Sequence, residues 1–246
     1  MDQIKPKLAT TCTTVDAGFT LANRKVVNQK GEIPGLNFGD NTGVSPKELN
    51  ENIECFLEEM DWSESPLAMA EQVHGSNIKV VDKPGMHNGV DALITSSPGL
   101  TLGIKVADCA AILLADETNS IIAAVHAGWR GAVADILPKT LFKMDDLGAE
   151  PSNIRAYISP CLSQQVFEVG IEVAEKFPEK VVDYQNYNKP HIDLKGFLVD
   201  QLHDFGLANN QIEVDEGCTL SDGRYYSFRR ERERSGRMLG YIRINQ

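Results

Sequence analysis

The stretch Thr101–Gly131, TLGIKVADCAAILLADETNSIIAAVHAGWRG, decides how the rest of this chain is read. It holds three apolar runs, Leu102 to Ala107, Ala110 to Ala115 and Ile121 to Val125. Runs this short and this continuously apolar read as strands buried on both faces. The turn-forming Asp116-Glu117-Thr118-Asn119 separates the second from the third. Cys109 follows the first run and His126 closes the third. Next, Ala127-Gly128-Trp129-Arg130-Gly131 leads into a helical pattern through Val133, Ile136, Leu137, Leu141 and Met144. Pro138 should kink that helix or start a second segment. A lone buried Cys is usually a small core hydrophobe, and a strand-end His a hydrogen-bonded surface group. Together, beside a glycine-flanked helix start, the two also describe a site.

Working outward, Ala9 to Val15 reads as a Thr-rich strand, and Asp16 to Gly43 has little periodicity. Ser45-Pro46-Lys47-Glu48 is a helix start, with Ser as N-cap and Pro at the first position. That helix runs to about Met60 and buries Leu49, Ile53, Phe56, Leu57 and Met60. Strands are expected at Leu67–Val73, Asn77–Val81, Asp91–Ile94, Ile154–Ile158, Gln211–Val214, Tyr225–Arg229 and Met238–Ile244, with Asp82–Asn88 a loop. Phe167-Glu168-Val169-Gly170 introduces a helix to about Phe177, and Leu194–Phe205 is amphipathic. There is no strict βαβ rhythm, no repeat of fixed period and no linker. The expectation is one α+β domain over residues 1–246, a mixed sheet with helices packed over it.

Composition narrows the function. At 246 residues and 42% hydrophobic, the chain can bury a substantial core. A net charge of −11 repels nucleic acid and anionic membrane as general partners, and no apolar run reaches membrane-spanning length. Five widely spaced cysteines without a Cys-x-x-Cys fit a reduced intracellular protein. MDQIKPKLATTC has no apolar core of a signal peptide. A cytoplasmic protein is expected.

His74, Cys109 and His126 all fall at the ends of expected strands. Two imidazoles and one thiolate suit Zn2+, and three protein ligands leave a fourth position open, as in reactive zinc sites. Their intervals of 35 and 17 residues match no short metal motif. Copper takes the same ligand types, but a multicopper centre needs clustered imidazoles, and this chain has five His and no His-x-His pair. A metal-free alternative makes Cys109 and His126 a nucleophile–base pair oriented by Asp108 or Asp91. Arg130, at a helix start, could hold an anion; it reads equally well as a surface residue. In Arg229–Arg237, the interleaved Glu231 and Glu233 describe a solvated salt-bridge strip, with Arg229 and Arg230 the exceptions.

Five motifs occur in order: Glu71-Gln72-Val73-His74-Gly75, Val106-Ala107-Asp108-Cys109, His126-Ala127-Gly128-Trp129-Arg130-Gly131, Phe167-Glu168-Val169-Gly170 and Ser227-Phe228-Arg229-Arg230. Together they resemble the laccase-domain family, once called multicopper polyphenol oxidases, which includes the YfiH/YlmD group. The resemblance spans roughly Leu36 to Ile244. It implies a three-layer α/β/α fold and zinc on His74, Cys109 and His126. It further implies phosphorolysis of adenosine, inosine, guanosine and methylthioadenosine, and adenosine deamination. The expected partners are a small-molecule nucleoside and phosphate, and the chain is expected to be a monomer. For some bacterial members it implies instead a peptidoglycan-editing hydrolase acting on UDP-linked muramyl precursors. Asp108 and Glu168 are the candidate catalytic carboxylates, and Gln72, Arg130 and Arg229 the candidate substrate-binding residues. Gly35-Leu36-Asn37-Phe38-Gly39 keeps the family's SLNLG-like run, whereas Gly18–Gly31 has no clear STRxGG. That departure leaves open a third reading, a metal-binding protein with reduced activity.

Overall fold

Thr101–Val106, Ala110–Asp116 and Ile121–Ala127 are all strands with every residue buried, yet they do not share one sheet. The computed structural model describes residues 1–40, 42–62 and 66–245. Its strands in chain order are β1 (Gln3–Ile4), β2 (Val15–Thr20), β3 (Leu67–Glu71), β4 (Ile78–Val80), β5 (Gly85–Asn88), β6 (Ala92–Thr95), β7 (Thr101–Val106), β8 (Ala110–Asp116), β9 (Ile121–Ala127), β10 (Ile154–Ile158), β11 (Val182–Asp183), β12 (His191–Ile192), β13 (Ile212–Val214) and β14 (Met238–Ile244). The helices are α1 (Lys7–Thr11), α2 (Pro46–Glu59), α3 (Trp129–Val133), α4 (Ile136–Asp146), α5 (Ile171–Ala174), α6 (Leu194–Phe205) and α7 (Phe228–Glu231). One sheet has the order β1-β2-β14-β7-β3-β5 and the other β13-β10-β8-β9-β6-β4.

Strand alternation shows how the two sheets stack. On β8, Ala111, Leu113 and Ala115 pack with Leu102, Ile104 and Ile242 of the first sheet. Ala110, Ile112 and Leu114 of the same strand pack instead against Ile136, Leu137 and Leu141 of α4 and Leu198 and Leu202 of α6. The first sheet's outer face, through Met69, Leu239 and Tyr241, meets Phe56 of α2 together with Leu36, Phe38 and Trp62. The expected α+β class and outer helical layers are present; the β layer between them is two sheets thick. This is why every residue of β7, β8 and β9 is buried: both sides of each are covered.

Local signals hold at α2, where the Ser45 side chain accepts from the Glu48 N–H, and at α6, whose bounds match the amphipathic run. Pro138 lies in the first turn of α4, where its missing N–H costs nothing, and the break falls at Asp135, in the left-handed region (φ 61°). Three expectations are corrected. Ala9–Thr11 is helical and the first long strand starts only at Val15; the Thr10 and Thr11 hydroxyls donate back to the Lys7 carbonyl, a local option that β-propensity ignores. Gly85–Asn88 is not loop but a polar edge strand parallel to β3. Tyr225–Arg229 is not a strand: Tyr225 and Tyr226 are buried outside any ladder, and Ser227 caps α7 by accepting from the Arg230 N–H.

Candidate metal and substrate site

Strands β3, β5 and β7 run parallel to one another or to a shared neighbour, so their C-terminal ends lie along one edge of the first sheet. From each end the chain crosses to the other sheet, into β4, β6 and β8 respectively. His74 sits on the first crossing, Asp91 on the second, and Asp108 and Cys109 on the third. His74 and Asp108 have positive φ, 59° and 81°, backbone states that non-glycine residues adopt at a cost and that cluster at functional sites. His126 ends β9 beside them. The β8–β9 register pairs Ala110 with Ala127, so its continuation sets Cys109 opposite Gly128.

Asp91 organises this edge. It is fully buried and accepts from the backbone N–H groups of Val73, His74 and Gly75 at 3.3, 3.0 and 2.7 Å. Its Oδ1 also meets His126 Nδ1 at 2.7 Å. Burial alone would raise its carboxyl pKa; the hydrogen bonds from His126, Gly75 and Val73 reverse this and hold it below the usual carboxylate range. One carboxylate thus fixes the backbone carrying His74 and the ring of His126, leaving His126 Nε2 for a ligand.

The ligand atoms of His74, Cys109 and His126 lie within 4.8 Å of one another. The two imidazole rings meet edge to face, with centroids 4.8 Å apart. His74 is exposed, Cys109 half-buried and His126 buried, so the group has an open side. Burial pushes the Cys109 thiol up, but the His126 charge and hydrogen bonds from both imidazoles more than offset it, leaving about 6. Burial pushes His126 down; the Cys109 thiolate and Asp91 overcome that and raise it to about 9. A metal binds thiolate and neutral imidazole, so binding at neutral pH must displace the His126 proton. Between about pH 6 and 9, metal uptake is therefore expected to release about one proton, and affinity to climb about tenfold per pH unit, levelling off above 9. Calorimetric titration in buffers of different ionisation enthalpy checks the proton count.

Gly128 is required here. A Cβ at this position would lie 2.8 Å from Cys109 Sγ and 3.6 Å from His74 Cδ2. Gly128→Ala is expected to displace the thiolate and lower metal affinity at least tenfold while the fold persists, because the clash is with a side chain at the site's open edge. Metal titration alongside circular dichroism tests it.

A cavity of about 780 Å3 opens over the triad. It includes Gln72, Asp108, Arg130 and Arg229 among the candidate residues. Gln72 spends its amide on β7, donating to the Lys105 carbonyl and accepting from the Lys105 N–H. Asp108 accepts from the Thr219 hydroxyl at 2.8 Å and the Arg229 N–H at 2.6 Å, pinning α7 over the cavity. Arg130 stacks on Trp129 at 4.3 Å. Arg229 donates to the Val166 and Glu168 carbonyls. Glu168 lies in an adjoining hollow with Trp129, Arg130 and Lys176, and Lys189 at 2.7 Å holds its carboxyl below the usual range. Sequence reasoning passed over Lys105, Phe228 and Arg237 as cavity residues. It named Asp91 only as one of two options for orienting a dyad.

Residues 17–245 match the family described as multi-copper polyphenol oxidoreductase laccase. The chain belongs to that family. The Deinococcus radiodurans protein named purine nucleoside phosphorylase is 34% identical over 217 residues, 86% of this chain and 83% of its own. A Bacteroides thetaiotaomicron protein of the same name is 33% identical over 236 residues, 88% and 87% of the two chains. The crystal structure of YlmD from Geobacillus stearothermophilus has a TM-score of 0.87 at 26% identity, covering 96% of this chain and 93% of that one. Bacillus licheniformis YfiH, a hypothetical protein at 24% identity and TM-score 0.88, covers 99% and 96% and shares the fold.

The family's descriptive name and this chain's imidazoles point in different directions. His87, His191 and His203 meet the backbone carbonyls of Lys83, Lys189 and Leu207. Only His74 and His126 of the five join the triad. Among the described residues, no cluster of imidazoles of the kind a multicopper centre uses is formed.

Proposed function

We propose that this chain is a zinc-dependent purine nucleoside phosphorylase acting on adenosine, inosine, guanosine and methylthioadenosine, and that it also deaminates adenosine. The observation carrying this reading is the open-sided His-Cys-His group at the floor of a nucleoside-sized cavity. It stands in a chain about one-third identical, over most of its length, to proteins named purine nucleoside phosphorylase. The donor set fits zinc: a thiolate held in its charged form, against its burial, by the His126 charge and hydrogen bonds from both imidazoles, and a histidine oriented by a carboxylate. Bound there, zinc would supply a Lewis-acidic position open to the cavity.

The protein's own groups do the rest. Trp129, Phe167 and Phe228 line the cavity and offer faces for a purine. In phosphorolysis a phosphate oxygen bonds to the ribose C1′ as the C1′–N9 bond breaks, and the purine leaves with that electron pair and takes up a proton. Asp108 is the proposed group that moves protons, with Glu168 further out; Gln72, Arg130 and Arg229 contact substrate. Asp91 keeps the proton on His126 Nδ1. The triad is complete within one chain, so the proposed monomer needs no partner's residue to hold the metal. The free cysteines favour a cytoplasmic setting, and among the described residues no helix is long and apolar enough to cross a membrane.

Product analysis tests the reading. Adenosine with phosphate should give adenine and ribose 1-phosphate, plus inosine and ammonia from deamination. Release of neither base nor ammonia, with amino acid freed from a UDP-linked muramyl precursor, would replace it with the editing hydrolase. Inertness towards all of them would favour a binding protein.

A further inference from the structure

Five cations line the cavity of this acidic chain: Lys105, Arg130, Arg229, Arg232 and Arg237. Lys105 is neutralised by Asp40 at 2.7 Å. Among the described residues, none of the four arginines has a carboxylate within ion-pair distance. Three are held by aromatic faces instead: Arg130 on Trp129, Arg229 on Phe167 at 5.5 Å and Arg237 on Phe228 at 5.6 Å. Stacking fixes a guanidinium without cancelling its charge, so these cations remain available to a bound anion.

Arg237 stands apart from the other two. It is half-buried, with a solvation loss that weakens its charged form; the acidic groups acting on it through space are led by Cys109 and Asp108. It lines the same cavity as His74, Cys109 and His126. It immediately precedes β14, whose first residue, Met238, pairs with Val106 beside the third sheet crossing. Its backbone is fixed at both ends. Its N–H donates to Asn37 Oδ1 at 2.9 Å, and its carbonyl accepts from the Phe38 N–H at 3.1 Å. Asn37 is fully buried. Nη1 is spent on the Ser235 and Gly236 carbonyls, while Nε and Nη2 meet no acceptor among the described residues. A half-buried guanidinium held this firmly, with donors unspent beside a metal-competent group, is an anion site in waiting.

We infer that Arg237 is the residue that holds inorganic phosphate beside the triad, with Arg229 flanking it and the Gly35–Gly39 segment acting as its positioning brace. The inference deepens the phosphorolytic reading and rests on it. A phosphoryl dianion could also arrive as the ester of a nucleotide. Arg237 shares the cavity with the triad, where the proposed phosphorolysis would take place, and this favours the free ion.

The test is equilibrium dialysis of zinc-loaded protein against radiolabelled inorganic phosphate, and separately against adenosine 5′-monophosphate. Wild type, Arg237→Gln, Arg237→Lys and, as control, the exposed Arg234→Gln are compared at equal zinc content. Arg237→Gln should weaken phosphate binding about ten- to hundredfold, Arg237→Lys should recover part of it, and Arg234→Gln should match wild type. In turnover, the KM for phosphate should rise by a similar factor while the KM for inosine stays within about twofold. If Arg237→Gln does not fold, Arg237→Lys alone should still bind phosphate more weakly than wild type. Unchanged phosphate binding in both Arg237 variants overturns the inference, and so does a loss confined to the monophosphate. If wild type binds phosphate through Arg237 but releases no purine, the anion site stands and the phosphorylase reading falls.

Discussion

Asp91→Ala is expected to destabilise the chain by about 3–5 kcal/mol, because it breaks the buried pair with His126 and leaves three part-buried backbone N–H groups without their acceptor. The same change frees His74 and His126 to turn, so metal affinity should fall about 10–100-fold even in the folded fraction. Asp91→Asn keeps one acceptor oxygen and should sit between the two. Denaturant melts measured with and without zinc separate the effects. An Asp91→Ala protein as stable as wild type, with unaltered zinc retention, would show that this carboxylate organises nothing.

Cys109→Ala is expected to remove the metal. The thiolate is the one anionic ligand in the triad, and the two imidazoles that remain cannot hold zinc against a chelator. Metal content should drop from about one per chain to near zero, and any zinc-dependent rise in melting temperature should vanish with it. Stability without metal should change little, since Cys109 is only half-buried and alanine fits its place. Elemental analysis after dialysis gives the answer, and it discriminates chemistry as well. Full metal content with abolished activity would make Cys109 a nucleophile of the Cys–His kind and not a ligand.

Much of this site was legible in the sequence because strand ends are legible. Continuous apolar runs mark buried strands, and a Cys or His just past such a run must emerge at a sheet edge. That logic placed Cys109 and His126. Two features of the fold stayed hidden. An apolar strand looks the same whether helices or a second sheet cover it, so the two-sheet stacking left no mark in residues 101–127. Parallel pairing across distant segments, which brings the ends of β3, β5 and β7 to one edge, is non-local and has no local signature. Asp91 was hard to rank because a carboxylate leading into apolar Ala92-Leu93-Ile94 reads as no more than the first residue of a strand until its partners are known. Arg237 was hidden for the opposite reason. It lies in a run of alternating Arg and Glu that looks like a solvated strip, and part of that strip is one: exposed Arg230, set apart from it in the sequence reading, in fact pairs with Glu231. Arg237 is withdrawn from it by Asn37, 200 residues earlier in the chain. The Thr-rich start and the Tyr225–Arg229 run misled because both carry β-propensity that side-chain hydrogen bonds override.

The most direct test of the central claim is phosphate-dependent release of hypoxanthine from inosine, followed before chelation, after chelation and after zinc is restored. The account predicts release with phosphate present, its loss on chelation, and its return with about one zinc per chain. Undiminished release by the metal-free protein would contradict it.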